Sequence, residues 1–221
     1  MVKEYRQLSY NVSPRTSAIA YLVIHDTGNT AKGADAKAHF TYFQGGNRGS
    51  SADIFVDDTS VWYVNDYTKY SSWHCGDGKG KYGITNQNSI GIELCINQDS
   101  DFSKTLENAV QVVKELMKEL QIPPRRVVRH YDASRKCCPK SLSQNNWKGW
   151  YDFYAKLCKE DVTMDKPVYN RIDDVPPWAK DAVCWAVEKG LVQGDGTGLS
   201  LTEDKLWTLV VLYRLVQLPL N

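Results

Sequence analysis

The chain has 221 residues, 42% of them hydrophobic and 24% charged, with a net charge of +1 at neutral pH. Those proportions are ordinary for a globular protein, and the weak charge with no basic arm excludes a nucleic-acid binder. No run approaches the ~18 consecutive apolar residues of a membrane helix, and the length predicts one main domain plus a small appendage. In chain order, residues 1–18 are polar with no clear period. Ala20-Tyr21-Leu22-Val23-Ile24 reads as a buried strand, followed by a loop from His25 to Thr30. Asp35 to Phe43 fits a helix with Ala36, Phe40 and Phe43 on one face. Ala52 to Val56 and Val61 to Val64 read as two strands around the turn Asp57-Asp58-Thr59-Ser60. After a glycine-rich segment, Trp73 to Gly83, comes a strand, Ile90 to Ile96, apolar apart from Glu93. Leu106 to Leu120 is the clearest helix, with apolar residues at 106, 109, 110, 113, 116, 117 and 120. Val127-Val128 is a short strand, and Trp147 to Leu157 a closing helix. Strands alternating with helices predict an α/β domain over residues 1–158.

A polar linker is expected over 159–172, and a small all-α domain over 173–221. In the latter, a helical stretch from Pro176 to Lys189 and a second from Thr202 to about Val216 flank the glycine-rich turn Gly190 to Gly198. Trp178, Trp185 and Trp207 sit at helical positions and read as its core. From Asp161 onward six Lys and Arg face nine Asp and Glu, a balance of −3, and the rest of the chain carries +4. The more basic part is compatible with a large, mildly anionic substrate.

Five of the six cysteines (Cys75, Cys95, Cys137, Cys138, Cys158) precede residue 161 and Cys184 follows it, so pairing within each part leaves an odd thiol in both. This argues against a disulfide framework and for synthesis in a reducing compartment, where clustered Cys and His more often bind metal or do chemistry. The N-terminus (Met1-Val2-Lys3-Glu4-Tyr5-Arg6) lacks an apolar signal core. If the substrate lies outside the membrane, something else must deliver the protein.

The stretch from Arg129 to Pro139 packs His130, Asp132, Lys136, Cys137 and Cys138 into eleven residues. Imidazole and thiolate are the best side-chain ligands for Zn²⁺. His25 closes a buried strand, where side chains of open α/β sheets converge on ligands. His25, His130 and Cys138 make a three-ligand set with a fourth position open to water, and Cys137 is a second thiol able to compete. His39, among apolar neighbours on its helix, reads as structural. Glu93, alone in an apolar strand, carries a desolvation cost unless it is paired or used; near a metal it can shuttle a proton. Lys136 is placed to reach an oxyanion.

Four motifs, Val23-Ile24-His25-Asp26-Thr27, Ser72-Trp73-His74-Cys75-Gly76, Ser89-Ile90-Gly91-Ile92-Glu93 and His130-x7-Cys138-Pro139, resemble in order and spacing the zinc N-acetylmuramoyl-L-alanine amidases of type 2. That family shares its fold, a mixed central sheet flanked by helices, with peptidoglycan recognition proteins, and it includes many bacteriophage endolysins. The resemblance spans about residues 18–157. It implies His25, His130 and Cys138 as Zn²⁺ ligands, since the eight-residue spacing from His130 to Cys138 is the family's and that to Cys137 is not. It also implies Glu93 as general base, Lys136 as the transition-state lysine and His74 lining the substrate groove. Arg135 stands where the motif often has glycine. The implied substrate is bacterial peptidoglycan, cut between N-acetylmuramic acid and L-alanine. Non-catalytic relatives of this fold typically lack the cysteine ligand, so Cys138 points to an enzyme. The competing readings are a non-catalytic peptidoglycan-binding module and a cysteine hydrolase using Cys75 or Cys137. Without a visible signal peptide, an enzyme made in the bacterial cytoplasm and released through a holin-type pore to act on the wall is expected.

Asp174-Val175-Pro176-x-Trp178-Ala179 through Gly194 is similar to one S-layer homology motif, although Leu201-Thr202-Glu203-Asp204 lacks the arginine of the family signature. The resemblance implies binding to a wall polymer; the single copy and the missing arginine leave formation of a homodimer, or packing on the main domain, as the alternatives.

Overall fold

A computed structural model describes residues 1–159, 168–194, 196 and 198–218. The chain divides into two compact units, Met1–Lys159 and Glu160–Asn221. In the first, a six-stranded mixed sheet has the order β1-β5-β4-β7-β3-β8, formed by β1 (Val2–Tyr5), β3 (Tyr21–Asp26), β4 (Ile54–Val56), β5 (Ser60–Tyr63), β7 (Ser89–Leu94) and β8 (Val127–Arg129). Strands β4, β7, β3 and β8 run parallel; β5 is antiparallel to β4, and β1 follows β5. Strands β2 (Val12–Pro14) and β6 (Tyr70–Ser72) form a separate antiparallel pair.

The side-chain period of two divides the sheet into two different faces. Leu22, Ile24, Ile54, Val56, Ile90, Ile92 and Leu94 point to one side and pack under helices α2 (Phe102–Glu119) and α4 (Gln144–Cys158). On the other side Phe55 and Trp62 pack with α1 (Ala36–Gln44), while Val23 packs with Ala133 of α3 (His130–Ser134). Because both faces are covered, the central strands are nearly continuous apolar runs. His25 and Glu93 are the polar interruptions of β3 and β7, and both belong to the α1/α3 face.

Strand β3 extends through His25 and Asp26, which composition alone had placed in a loop. Strands β1 and β2 lie where no element was expected. Residues Val2, Lys3 and Tyr5 of β1 are exposed on an edge strand, so burial leaves no alternation to read. Residues Asn145, Asn146 and Trp147 have left-handed dihedrals, so the regular part of α4 begins near residue 148.

The turn between β4 and β5 is organised by the buried Asp57. Its carboxylate accepts from the backbone N–H groups of Thr59 (2.8 Å), Ser60 (2.6 Å) and Ala36 (3.0 Å), and from the hydroxyls of Thr59 and Ser60. It thereby ties the start of α1 to the sheet. Asp57→Asn turns part of this acceptor set into donors facing donors. A loss of about 2–4 kcal/mol in unfolding free energy is expected, read by thermal or urea denaturation.

In the second unit, α5 (Pro177–Glu188) and α6 (Glu203–Val216) pack through Ala179, Ala182, Val183, Ala186, Leu206, Leu209 and Val210, and Tyr169 forms a β-bridge with Leu201. The expected tryptophan core is corrected here. Trp178 and Trp207 are 43% and 54% exposed and stack on each other at 4.6 Å, and only Trp185 packs against the interior. The buried face of α5 is formed by Ala179, Ala182, Val183 and Ala186, against Leu206, Leu209 and Val210 of α6. Of the expected linker over 159–172, residues 160–167 lie outside the described residues, as do Asp195 and Thr197 of the glycine-rich turn. No helix among the described residues is long and apolar enough to cross a membrane.

Candidate metal centre and active site

Parallel pairing aligns His25 with Glu93 and Glu93 with Phe55, so one row of side chains crosses the α1/α3 face near the C-terminal ends of the strands. Strand β8, paired beside β3, hands the chain directly to α3, whose first residue is His130. The chain after α3 is folded back by two hydrogen bonds donated by backbone N–H groups. Tyr131 N–H donates to Cys138 O at 3.0 Å, and Ser141 N–H to the Asp26 carboxylate at 2.6 Å. These bring Cys138 Sγ to 3.8 Å from His25 Nδ1. One ligand atom each from His25, His130 and Cys138 lies within 4.8 Å of the others, and all three residues are buried; among the described residues this is the one such group. Ligands ~2.1 and ~2.3 Å from a common tetrahedral ion are ~3.6 Å apart, close to the sulfur–nitrogen separation seen.

The remaining ring nitrogens are committed elsewhere, which determines the ones that face the centre. Ser89 Oγ–H donates to Thr85 O, so His74 Nε2–H donates to Ser89 Oγ at 3.0 Å. His74 Nδ1 then accepts from His25 Nε2–H at 3.0 Å, leaving the His25 Nδ1 lone pair toward Cys138. His130 Nε2 meets Asp77 Oδ1 at 2.7 Å, and His130 Nδ1 is buried with no partner. An outer carboxylate or hydroxyl that orients a ligating imidazole is the usual support of a metal site. Burial is the first cause lowering the pKa of His25, His74 and His130, with neighbouring cationic groups adding to it at all three and Asp77 opposing it at His74 and His130. Neutral imidazoles are what a cation requires. Burial pushes the Cys138 thiol up to about 12, while the Asp26 N–H favours the thiolate. A cation beside it would reverse that balance. The residues present therefore fit a Zn²⁺ ion.

Glu93 stands next to this set, with Oε1 4.0 Å from His25 Nδ1 and a buried Oε2 that has no hydrogen-bond partner. Burial first, then the charge of Asp26, raises its pKa to about 8, with Lys136 acting in the opposite direction. Glu93 borders a cavity of about 430 Å³ under α1, and Lys136 with His74, Asp77 and His130 borders another of about 300 Å³. The carboxylate and the ammonium thus approach the ligand set from two cavities. His74 has two surroundings: it contacts the second cavity and supports His25 from behind.

Cys137 is exposed and Cys138 buried, so the pair divides by direction. Cys75 is enclosed between His74 and Ser89, and burial pushes its thiol up to about 12, which gives no support to a cysteine nucleophile. Arg135 has φ +71°, a conformation that explains the glycine often found at this motif position. Here the side chain offsets the strain: its guanidinium lies 4.0 Å from the Tyr82 ring and donates to Tyr131 O at 3.0 Å.

Several supporting residues carry no sequence signal. Asp77 sits in a glycine-rich stretch. Arg15, in the segment without period, donates to the carbonyls of Tyr67, Gln87 and Ser89. Asn86 Oδ1 accepts from the N–H groups of His74 and Cys75 at 3.1 and 2.8 Å. Gly91 is required by close approach, since a Cβ there would lie 2.5 Å from the His74 ring. Two outcomes follow. Asp77→Ala should weaken Zn²⁺ affinity by roughly 10- to 100-fold, measured by competition with a chromophoric chelator. Gly91→Ala should displace His74 and lower Zn²⁺ affinity, with the His74 and His25 imidazole NMR signals shifted from their wild-type positions.

Comparison with known proteins places these residues among relatives. The family profile described as N-acetylmuramoyl-L-alanine amidase matches residues 15–141, and the S-layer homology domain profile matches residues 172–199. The chain is similar to N-acetylmuramoyl-L-alanine amidase CwlH of Bacillus subtilis strain 168, 42% identical over 145 residues, which are 66% of this chain and 55% of CwlH. It is also similar to XlyA of the same organism, 43% identical over 137 residues, 62% of this chain and 43% of XlyA. The chain spans about half the length of these curated relatives. Among solved structures, the catalytic domain of XlyA superimposes with a TM-score of 0.61 at 36% identity, covering 71% of this chain and 97% of that one. PlyL does so with a TM-score of 0.63 at 27% identity, covering 73% and 100%.

Proposed function

The chain belongs to the N-acetylmuramoyl-L-alanine amidase family, and from that premise we propose that it hydrolyses the amide between N-acetylmuramic acid and L-alanine in bacterial peptidoglycan, using Zn²⁺ held by His25, His130 and Cys138. The observation that carries this reading is the convergence of those three side chains on one point beside an unpartnered Glu93 carboxylate oxygen. Bound there, Zn²⁺ supplies Lewis acidity and makes a water easier to deprotonate at neutral pH. The protein's own groups do the rest. The Ser89–His74 chain and Asp77 hold the two imidazoles in the tautomers that present Nδ1. Glu93, raised toward neutrality by burial, accepts a proton from the attacking water and returns it to the departing alanine nitrogen. Lys136, on the other side, offsets the charge that develops on the lactyl carbonyl oxygen.

Purified peptidoglycan treated with the protein and Zn²⁺ should release free amino groups from L-alanine without new reducing sugar ends. Reducing ends would indicate a glycosidase, and binding without release would leave only a wall-binding module. The place of action that goes with this reading is the cell wall, reached from the cytoplasm by holin-type release. For the second unit, its single S-layer homology match and the exposed Trp178–Trp207 pair support contact with a wall polymer or pairing of two copies. Sedimentation of that unit with purified walls, and the oligomeric state of the chain by light scattering, separate the two.

A further inference from the structure

We propose that a groove walled by Tyr5, Tyr63, Tyr67 and Tyr70 is a second binding site that takes an uncharged glycan strand; only the identity of that strand as the glycan of peptidoglycan rests on the amidase reading above. The groove has a volume of about 690 Å³. Parallel pairing of β1 with β5 sets Tyr5 beside Tyr63, and the two rings stack with centroids 4.8 Å apart and planes 11° from parallel. Tyr63 is buried at the edge of the core under α2, whereas Tyr5 is 64% exposed. One face of the Tyr5 ring is thus backed by Tyr63 and the ring is otherwise open to a ligand. Tyr67 is tied to α2, its hydroxyl donating to the Glu119 carboxylate at 3.2 Å. Tyr70, which opens β6, is also exposed.

The rest of the wall is polar, internally paired and already fixed. Arg6 is paired with Glu4 at 2.8 Å, and Lys69 with Asp66 at 2.8 Å. Gln7 donates to Asn65 Oδ1 at 3.0 Å, and Asn65 donates in turn to the buried Asp53 at 2.7 Å. A polyanion finds no unpaired counter-charge on such a wall. A pyranose fits it, because its C–H faces pack on aromatic rings and its hydroxyls exchange hydrogen bonds with phenols. The hydroxyls of Tyr5, Tyr63 and Tyr70 make no hydrogen bond to the described residues and remain for that use. Strand register places the groove. Tyr5 aligns through Tyr63, Ile54 and Ile92 with Ile24, the residue before His25. Four strand spacings amount to about 19 Å, and Ile24 faces α2 while His25 faces away from it. A small substrate cannot occupy both places. A polymer with many strands can, and a second hold on it raises the effective concentration of scissile amides at the metal centre.

The test titrates the full chain with chitotetraose, an uncharged chain of N-acetylglucosamine, and follows backbone amides by NMR. The amides of Gln7, Asn65, Thr68 and Lys69 should shift together and give one Kd. Tyr5→Ala removes the exposed ring and should weaken that Kd by roughly tenfold, the effect of losing one aromatic surface against the ligand. Tyr5→Phe keeps the ring and should stay within about threefold of wild type. Should Tyr5→Ala fold poorly, Tyr70→Ala is read in the same way. Shifts confined to the cavities around Glu93 and Lys136 overturn the proposal, as does a wild-type Kd in Tyr5→Ala or no binding at all. Groove shifts with poly(glycerol phosphate) in place of chitotetraose also overturn it, because they would mean an anionic ligand. Wild-type protein that shows the groove shifts but releases no amino groups from peptidoglycan overturns the amidase reading and leaves the groove standing. Release of amino groups without groove shifts overturns the groove alone.

Discussion

Cys138→Ala is expected to give a folded chain that retains no Zn²⁺ and releases no amino groups from peptidoglycan. The sulfur is the only anionic ligand in a set whose other members are neutral imidazoles. Removing it takes away the charge complement as well as one bond. Catalysis by a bound cation amounts to several kcal/mol of transition-state stabilisation, so activity should fall by at least about 10³-fold. Alanine rather than serine avoids leaving a hydroxyl in a buried position (6% exposed). Binding of an ion to the native state alone also stabilises it, by about 4 kcal/mol at a thousandfold excess over Kd. Added Zn²⁺ should therefore raise the Tm of the wild type and leave that of Cys138→Ala unchanged. Cys137→Ala, a change at an exposed side chain, should keep Zn²⁺ and activity. Full lysis by wild-type protein stripped of metal would sink the zinc reading outright.

Glu93→Gln should separate chemistry from stability. The glutamine keeps the shape and loses the proton acceptor, so kcat should drop by about 10²- to 10⁴-fold while Zn²⁺ content stays at the wild-type level. In the metal-free protein the same change should raise Tm. The Glu93 carboxylate has a raised pKa because burial and Asp26 disfavour its charge. Such a carboxyl opposes folding as pH rises from the ordinary glutamate range towards about 8, because the unfolded chain ionises it freely and the fold does not, and a neutral amide removes that cost. A residue that harms stability and is needed for turnover is the pattern expected of an active site. If Glu93 were a structural member of the sheet, Glu93→Gln would instead lower Tm and keep its activity.

The sequence by itself named the candidate ligand set and the core strands of the fold. The apolar runs around Leu22 and Ile90 marked two central strands, because strands buried on both faces must be apolar throughout, and Val127-Val128 marked a third, shorter one. A charged or titratable residue within such a run, such as His25 or Glu93, is legible for the same reason: it would not be there without a use. Helical periodicity is local as well: α1 appears within a residue of its expected span, and α2 covers the expected apolar stretch but begins four residues earlier, at Phe102.

What only the tertiary structure decided are matters of register and direction. Alignment of His25 with Glu93 depends on how β3 slides along β7, and no residue in either strand states that register. The separation of Cys137 from Cys138 depends on a loop closed from a distance by Ser141 and Asp26. Arg15, Asp77 and Asn86 support the candidate ligand set from segments that are polar and without period, where sequence carries no burial pattern. Their roles come from hydrogen bonds spanning long stretches of chain. Trp178 and Trp207 show the converse, since helical spacing told where the indoles lie along α5 and α6 but not which face the partner helix would cover.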